Sequence, residues 1–298
     1  MTNDNYHPLI LGIGELLWDL LPGGRKPGGA VANMIHFTRQ LGTRAFLATA
    51  VGADNAGRDL VEAMVAAGHD PCLMQTDEEH PTGTVSITIA DDGQPDFTIH
   101  TEVAWDNIRL TDELRDIAAE ADAVCFGSLA QRAPVSRETV RNLVSAAPNA
   151  ALRVCDINLR QAFWDAGVLR WCLETADVVK LNDEELPVVA QELGLEADPE
   201  YLREHFNLKV LALTRGGKGS LLLGEGERVD HPGLETGITD TVGAGDSFAA
   251  VLTVGLLENR ELAVISDSAN RIAAFVCSQD GGTPLLPEEL SAQAGRFG

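Results

Sequence analysis

Asp240-Thr241-Val242-Gly243-Ala244-Gly245-Asp246 stands directly before an apolar run, residues 248–257, that reads as a helix. The small residues at 243, 244 and 245 let the backbone pass close to a ligand. Their N–H groups are the unpaired donors of a helix start, and such a start attracts anions, most often phosphate. Asp246 is out of place beside that hole, because a carboxylate repels a phosphate. A proton explains it: the carboxylate can take one from a hydroxyl that attacks phosphorus. Hole and base side by side make a phosphoryl-transfer device. The competing reading is a capped helix start, where the macrodipole alone favours an acid in the first turn. A Walker A loop is absent, since Arg215-Gly216-Gly217-Lys218-Gly219-Ser220 has the composition without the spacing.

Working outward, short apolar runs alternate with helical patterns. Strands are expected at residues 9–14, 44–51, 123–126, 152–156, 177–181 and 210–214. Helices are expected at 29–41, 54–67, 112–120, 134–147, 183–193, 199–206, 247–257 and 261–278. This rhythm implies an α/β fold whose parallel sheet is covered on both faces. Ligands on such a sheet bind beyond the carboxyl ends of the strands. An antiparallel pair is expected around Gly224-Glu225-Gly226. A hairpin at 84–101, turning at Asp91-Asp92-Gly93, breaks the rhythm and is placed to act as a lid.

The 298 residues suit one large α/β domain, and 22 Lys and Arg against 45 Asp and Glu give a net charge of −23. So acidic a surface argues against nucleic acid or anionic lipid as a partner. An acidic protein that handles phosphate must place its few cations locally and lean on backbone N–H groups and Mg2+. Cys72, Cys125, Cys155, Cys172 and Cys277 form no CxxC pair, which points to buried free thiols in a reducing cytosol. Nothing at the N-terminus reads as a signal peptide, and no apolar run is long enough to span a membrane. A cytoplasmic protein is expected.

Several polar sets follow predicted strands. Asp19 and the run Gly28-Gly29-Ala30-Val31-Ala32-Asn33 supply a carboxylate, a close backbone approach and an amide, which suits a polyol or sugar; each member alone also fits a helix opening. Asp156, Asn158 and Arg160 share one side of Asp156-Ile157-Asn158-Leu159-Arg160, with Arg160 facing either an anion, a sugar oxygen or a surface acid. Lys180-Leu181-Asn182-Asp183-Glu184-Glu185 reads equally as a ligand loop and as a capping box with Asn182 as cap. Leu213-Thr214-Arg215-Gly216-Gly217-Lys218-Gly219 either meets a nucleotide through its backbone or forms a Gly-rich hairpin.

Taken in order along essentially the whole chain, these motifs resemble the ribokinase-like, or PfkB-type, carbohydrate kinases. Gly28–Asn33 is similar to that family's N-terminal signature and Asp240–Asp246 to its C-terminal one. Gly14-Glu15 through Asp19, Phe126-Gly127-Ser128-Leu129-Ala130-Gln131-Arg132 and Asp156–Arg160 look most like fructokinases. The resemblance implies a three-layer α/β/α sandwich with a mostly parallel central sheet, one kinase domain over 1–298 and a small β lid from about 15–27 and 84–104. It implies ATP-dependent phosphorylation of a primary hydroxyl, with fructose the leading substrate and 2-keto-3-deoxygluconate, ribose or another sugar as alternatives. Asp246 would be the base, with Gly243, Ala244 and Gly245 as the anion hole. Asp19, Gly28, Gly29, Asn33, Gln131 and Arg160 would hold the sugar. Asn158, Lys180, Asn182, Thr214, Gly216, Gly219 and Asn270 would serve ATP, with Asn270 near the adenine end. Glu185 would organise Mg2+, largely through water. Gln279-Asp280 leaves a K+ site near Asp240 and Val242 an open question. The lid would pair two copies into a homodimer. A non-catalytic sugar or nucleotide sensor and a Rossmann dehydrogenase are the other classes. Retention of Asp246 speaks against the first, and the missing third glycine after Gly12-Ile13-Gly14 against the second.

Overall fold

The computed structural model describes residues 6–21, 23–89 and 95–295. The expected strands appear as β1 (Leu9–Ile13), β4 (Arg44–Gly52), β8 (Ala123–Gly127), β9 (Leu152–Asp156), β10 (Val178–Asn182) and β11 (Val210–Thr214). With β5 (Met74–Asp77), β12 (Ser220–Leu223) and β13 (Arg228–His231) they form a nine-stranded sheet in the order β13-β12-β11-β10-β9-β8-β1-β4-β5. Every pairing from β11 to β5 is parallel, and β12 and β13 add an antiparallel edge around the expected Gly224–Gly226 turn.

Two cores explain the three layers. Alternation along β1 sends Leu9, Leu11 and Ile13 to one face of the sheet. There they join α3 (Asp112–Glu120), α4 (Pro134–Ala146), α5 (Ala166–Thr175), α6 (Glu185–Leu193) and α7 (Pro199–His205), through Leu114, Val140, Leu169, Val189 and Leu202. Ile10 faces the other side, with α1 (Ala30–Gln40), α2 (Asn55–Ala66), α8 (Ala244–Leu257), α9 (Leu262–Cys277) and α10 (Glu288–Ala294). Gly12 lets α1 lie directly on β1, because a Cβ there would come within 2.2 Å of the Ile35 side chain. α8 is apolar all round because Ser247 through Gly255 are all buried.

A second sheet holds β2 (Leu17–Leu21), β3 (Gly24–Gly28), β6 (Thr84–Ile89) and β7 (Pro95–Ile99) in the order β3-β2-β6-β7. Its outer pairs are antiparallel and the central β2–β6 pair is parallel. These are the segments expected for a lid, although the Asp91-Asp92-Gly93 turn lies outside the described residues. Helix α5, strand β5 and helix α10 were not anticipated; β5 and α10 have only 4 and 7 residues, whereas α5 carries Val168, Leu169, Cys172 and Leu173 at helical spacing. Asp54 caps α2 as expected, its Oδ1 accepting from Gly57 N at 2.7 Å. All five cysteines are free; Cys125, Cys155 and Cys172 are buried, whereas Cys72 is exposed, which corrects the expectation that all are buried. No helix among the described residues is long and apolar enough to cross a membrane.

Candidate active site

A cleft of about 670 Å3 opens between the carboxyl ends of the large sheet and the small sheet. The first turn of α8 is one wall. Gly243 caps this helix in the left-handed region at φ 81°, and a Cβ there would sit 1.9 Å from Gly282 O. Only glycine fits this cap. Gly245 and Asp246 also line the cleft, while Ala244 does not.

Asp246 Oδ2 accepts a hydrogen bond from Asn33 Nδ2 at 2.8 Å, which joins the two signature segments across 213 residues of chain. Burial raises the Asp246 pKa to about 7; Asp156 and Glu15 add to the rise, and Lys180 and the Asn33 hydrogen bond oppose it. A carboxylate raised to that range can exchange a proton near neutral pH.

Under the same turn lies a buried ion pair. Lys180 Nζ donates to both Asp156 oxygens at 2.8 and 3.1 Å. A Cβ on Gly245 would come within 2.8 Å of that ammonium, so the cation sits against the floor of the N–H hole. Burial alone would lower the Lys180 pKa, but Asp156, Glu185 and Asp246 outweigh it and hold the group charged.

Asn182 and Glu185 realise the capping box. Asn182 Oδ1 accepts from Glu184 N at 2.9 Å and Glu185 N at 2.8 Å, and Glu185 Oε2 accepts from Asn182 N at 2.9 Å. Glu185 Oε1 accepts from Leu159 N at 3.1 Å, which pins the Asn158–Arg160 loop. Both residues nonetheless line the cleft, so the structural and ligand-facing readings coexist.

At the sugar end, Asp19 sits within β2 of the small sheet, opposite Lys26 of β3. Burial and then Asp240 raise its pKa to about 6. Gly28 makes room for it, since a Cβ would lie 2.2 Å from Asp19 Oδ2. Gly29, at φ 120°, opens α1 with its Cα side 2.2 Å, at the Cβ position, from Glu15 O. Gly29, Asn33, Asn158, Arg160, Thr214 and Gly216 all line the cleft.

Two cleft residues were missed. Glu15 is buried, its Oε1 accepts from Ala30 N at 2.8 Å, and its Oε2 has no hydrogen-bond partner among the described residues. An acid inside the apolar run Ile13-Gly14-Glu15-Leu16-Leu17 was the available signal. Lys26 reaches from the small sheet to Asp280, with Nζ 2.5 Å from Oδ1.

Five expected site residues, Ala244, Gly28, Gln131, Gly219 and Asn270, do not line the cleft. Gln131 is fully buried away from the cleft, donating to Gly127 O and Cys172 Sγ, each at 3.1 Å. Asn270 is spent on packing α9 against β12, with Nδ2 bonded at 2.8 Å to both Ser220 Oγ and Ser266 O. Gly219 is a turn glycine at φ 78°, where a Cβ would strike His231 O at 2.1 Å, and it does not line the cleft. Gly28 faces a neighbouring cavity behind the cleft wall. Arg132 does not line the cleft and is locked to Asp106 by two hydrogen bonds of 2.7 and 2.9 Å.

Comparison with known proteins agrees with this geometry. The model of the pfkB family of carbohydrate kinases matches residues 23–289. An Escherichia coli fructokinase is 30% identical over 94% of this chain and 97% of its own. The crystal structure of an uncharacterized sugar kinase from Pyrococcus horikoshii, also solved in complex with ATP, superposes with a TM-score of 0.82 at 31% identity, covering 96% of this chain and 99% of that one. A 2-dehydro-3-deoxygluconokinase from Thermotoga maritima shares the fold with a TM-score of 0.84 at 20% identity, over 97% and 99% of the chains. The chain therefore belongs to the pfkB family of carbohydrate kinases, with the ribokinase-like fold, and is an ATP-dependent sugar kinase.

Proposed function

We propose that this kinase phosphorylates fructose to fructose 6-phosphate. The observation that carries the choice of a neutral sugar is the charge of the sugar end. Glu15, Asp19, Asp240 and Asp246 all line the cleft, Lys26 is paired with Asp280, Lys180 with Asp156 and Arg132 with Asp106, which leaves Arg160 as the cleft cation without an ion pair among the described residues. Carboxylates bind neutral hydroxyls well and repel a carboxylate-bearing sugar. The similarity to the Escherichia coli fructokinase supports the same choice.

In this reading Asp19, Asn33 and the Gly29 backbone orient the sugar, and Glu15 Oε2 accepts from a further hydroxyl. Arg160 closes the far side. Asp246 takes the proton of the primary hydroxyl as the hydroxyl oxygen attacks the γ-phosphorus in line, and the bond to the β–γ bridging oxygen breaks to release ADP. The proton is held at Asp246 Oδ, while the N–H groups at the start of α8, with the Lys180 charge behind them, stabilise the equatorial oxygens. Asn158, Asn182, Thr214 and Gly216 lie along the nucleotide's path. Among the described residues no three His, Cys, Asp or Glu side chains form a cage for an ion, which suits Mg2+ held mainly by phosphates and water. Mg2+ bound with ATP would supply charge neutralisation, with Asp183, Glu184 and Glu185 as the nearby acids. The small sheet would act as lid and as a dimer surface in a cytoplasmic enzyme.

ADP release from MgATP with fructose, 2-keto-3-deoxygluconate, ribose, glucose, tagatose and adenosine tests the substrate. Turnover should be greatest with fructose and vanish in Asp246→Asn. Preferential use of 2-keto-3-deoxygluconate would overturn the neutral-sugar reading.

A further inference from the structure

Behind the wall formed by Pro27 and Asn33 lies a second cavity, of about 460 Å3, between α1, the end of α2 and the loop at 283–285. It shares those two residues with the cleft but has the opposite character. The cleft is lined by Glu15, Asp19, Asp183, Glu184, Glu185, Asp240 and Asp246. Among the described residues no acid lines the second cavity, in a chain that carries 45. Its walls are apolar at Leu16, Ala32, Ala63 and Met64, and Leu285 stands at its edge, 78% exposed.

Its polar lining is Asn33, His36, Arg39 and Thr283, and among the described residues Arg39 is the one charged member. Arg39 Nη2 donates to Ala67 O, and its Nε is buried without a partner among the described residues. His36 lines the cavity as well. Its Nδ1 meets His69 Nε2 at 3.1 Å, while His36 Nε2 and His69 Nδ1 are buried with no partner among the described residues. Burial first, and Arg39 second, lower the His36 pKa to about 4, so the pair is neutral at pH 7 and Arg39 carries the charge. An anion seated here would meet one fixed guanidinium and a neutral imidazole edge, with an apolar wall for the rest of the molecule.

We propose that this cavity is a second ligand site, for a small anion with an apolar body, such as a carboxylate or a phosphate ester. Arg39 binds the anionic group, His36 is its hydrogen-bonding neighbour, and Leu16, Met64 and Leu285 cover the body. The site does not depend on which sugar is phosphorylated.

The test is calorimetric titration of the full chain with hexanoate, hexyl phosphate and neutral hexanol, with excess Mg2+ and a non-hydrolysable ATP analogue present to occupy the hole at α8. Both anions should bind, and hexanol should bind at least about tenfold more weakly, the scale of one charge-assisted contact. Arg39→Gln should weaken the anions by about the same factor, and Arg39→Lys should restore part of it. Ala66→Trp, an exposed position on the lining, should block all three, and circular dichroism checks that each variant is folded. Hexanol binding as tightly as hexanoate would overturn the proposal. So would anion binding that both Arg39→Gln and Ala66→Trp leave unchanged, since that binding belongs elsewhere.

Discussion

Two buried ion pairs flank the cleft and differ in what surrounds them. Arg132 and Asp106 are joined by two hydrogen bonds, and the guanidinium is sandwiched between Trp105 at 3.9 Å and Phe163 at 4.6 Å. Arg132 also donates to His100 O, just past β7, so the pair ties the small sheet to the body. Its charge is spent locally. Lys180 and Asp156 are equally buried, but Glu185 and Asp246 also act on the ammonium, and the first turn of α8 lies on it. That charge is shared with the site. Burial is thus a poor guide to role; what decides is whether the surrounding groups use up the charge.

The comparison breaks first at Asp246. Asp246→Asn should lower kcat by about 10²- to 10⁴-fold, the worth of a general base, with sugar affinity changing far less. Near-normal turnover in steady-state assays would remove the base assignment.

Next come the pairs themselves. Lys180→Met and Arg132→Met should each cost about 3–5 kcal/mol in denaturant unfolding, because each strands a buried carboxylate. Only Lys180→Met should also lower kcat in the folded fraction. Arg132→Met/Asp106→Leu should recover most of the stability, since replacing both partners by apolar groups is often neutral. Loss of kcat in that double variant would show that the two pairs do not divide as described.

A pH profile sharpens the contrast. Only deprotonated Asp246 accepts the proton, so kcat/KM should fall as pH drops through about 7. Asp246→Asn should abolish that limb.

The smallest effect is on stability. The folded pKa of Asp246 lies above the ordinary carboxylate value of about 3.9. The folded state therefore binds more protons between the two values, and stability falls as pH rises through that window. Asp246→Asn should raise Tm relative to the parent at pH 8 and leave it unchanged at pH 3. Equal Tm values at pH 8 would mean that the site does not strain this carboxylate.

Much of this was legible in the chain. The period of apolar residues set the strands of the large sheet and most helices, because each is buried on a fixed face whatever its distant neighbours. Gly243, Gly245 and Asp246 were readable because a glycine cap and a first-turn acid are local features. For Asn182 and Glu185 the sequence left a cap and a ligand loop as alternatives, whereas in the structure they cap α6 and also line the cleft.

Other residues depended on partners far along the chain. Gln131 follows β8 like a ligand residue, yet Cys172 and the Gly127 carbonyl draw its amide into the core. Arg132 reads as a free cation until Asp106 and Trp105 close around it. Glu15 is an interruption in an apolar run until the start of α1 is laid across it. The second cavity has no motif at all, since its acid-free lining is assembled from residues 16–68 and 283–285. Sequence alone determined most of the elements and the glycine-capped turn before α8, because backbone propensity, burial period and capping act over a few residues. Tertiary structure decided which charges remain available, because the field at each group is set by whichever side chains packing brings within a few ångströms.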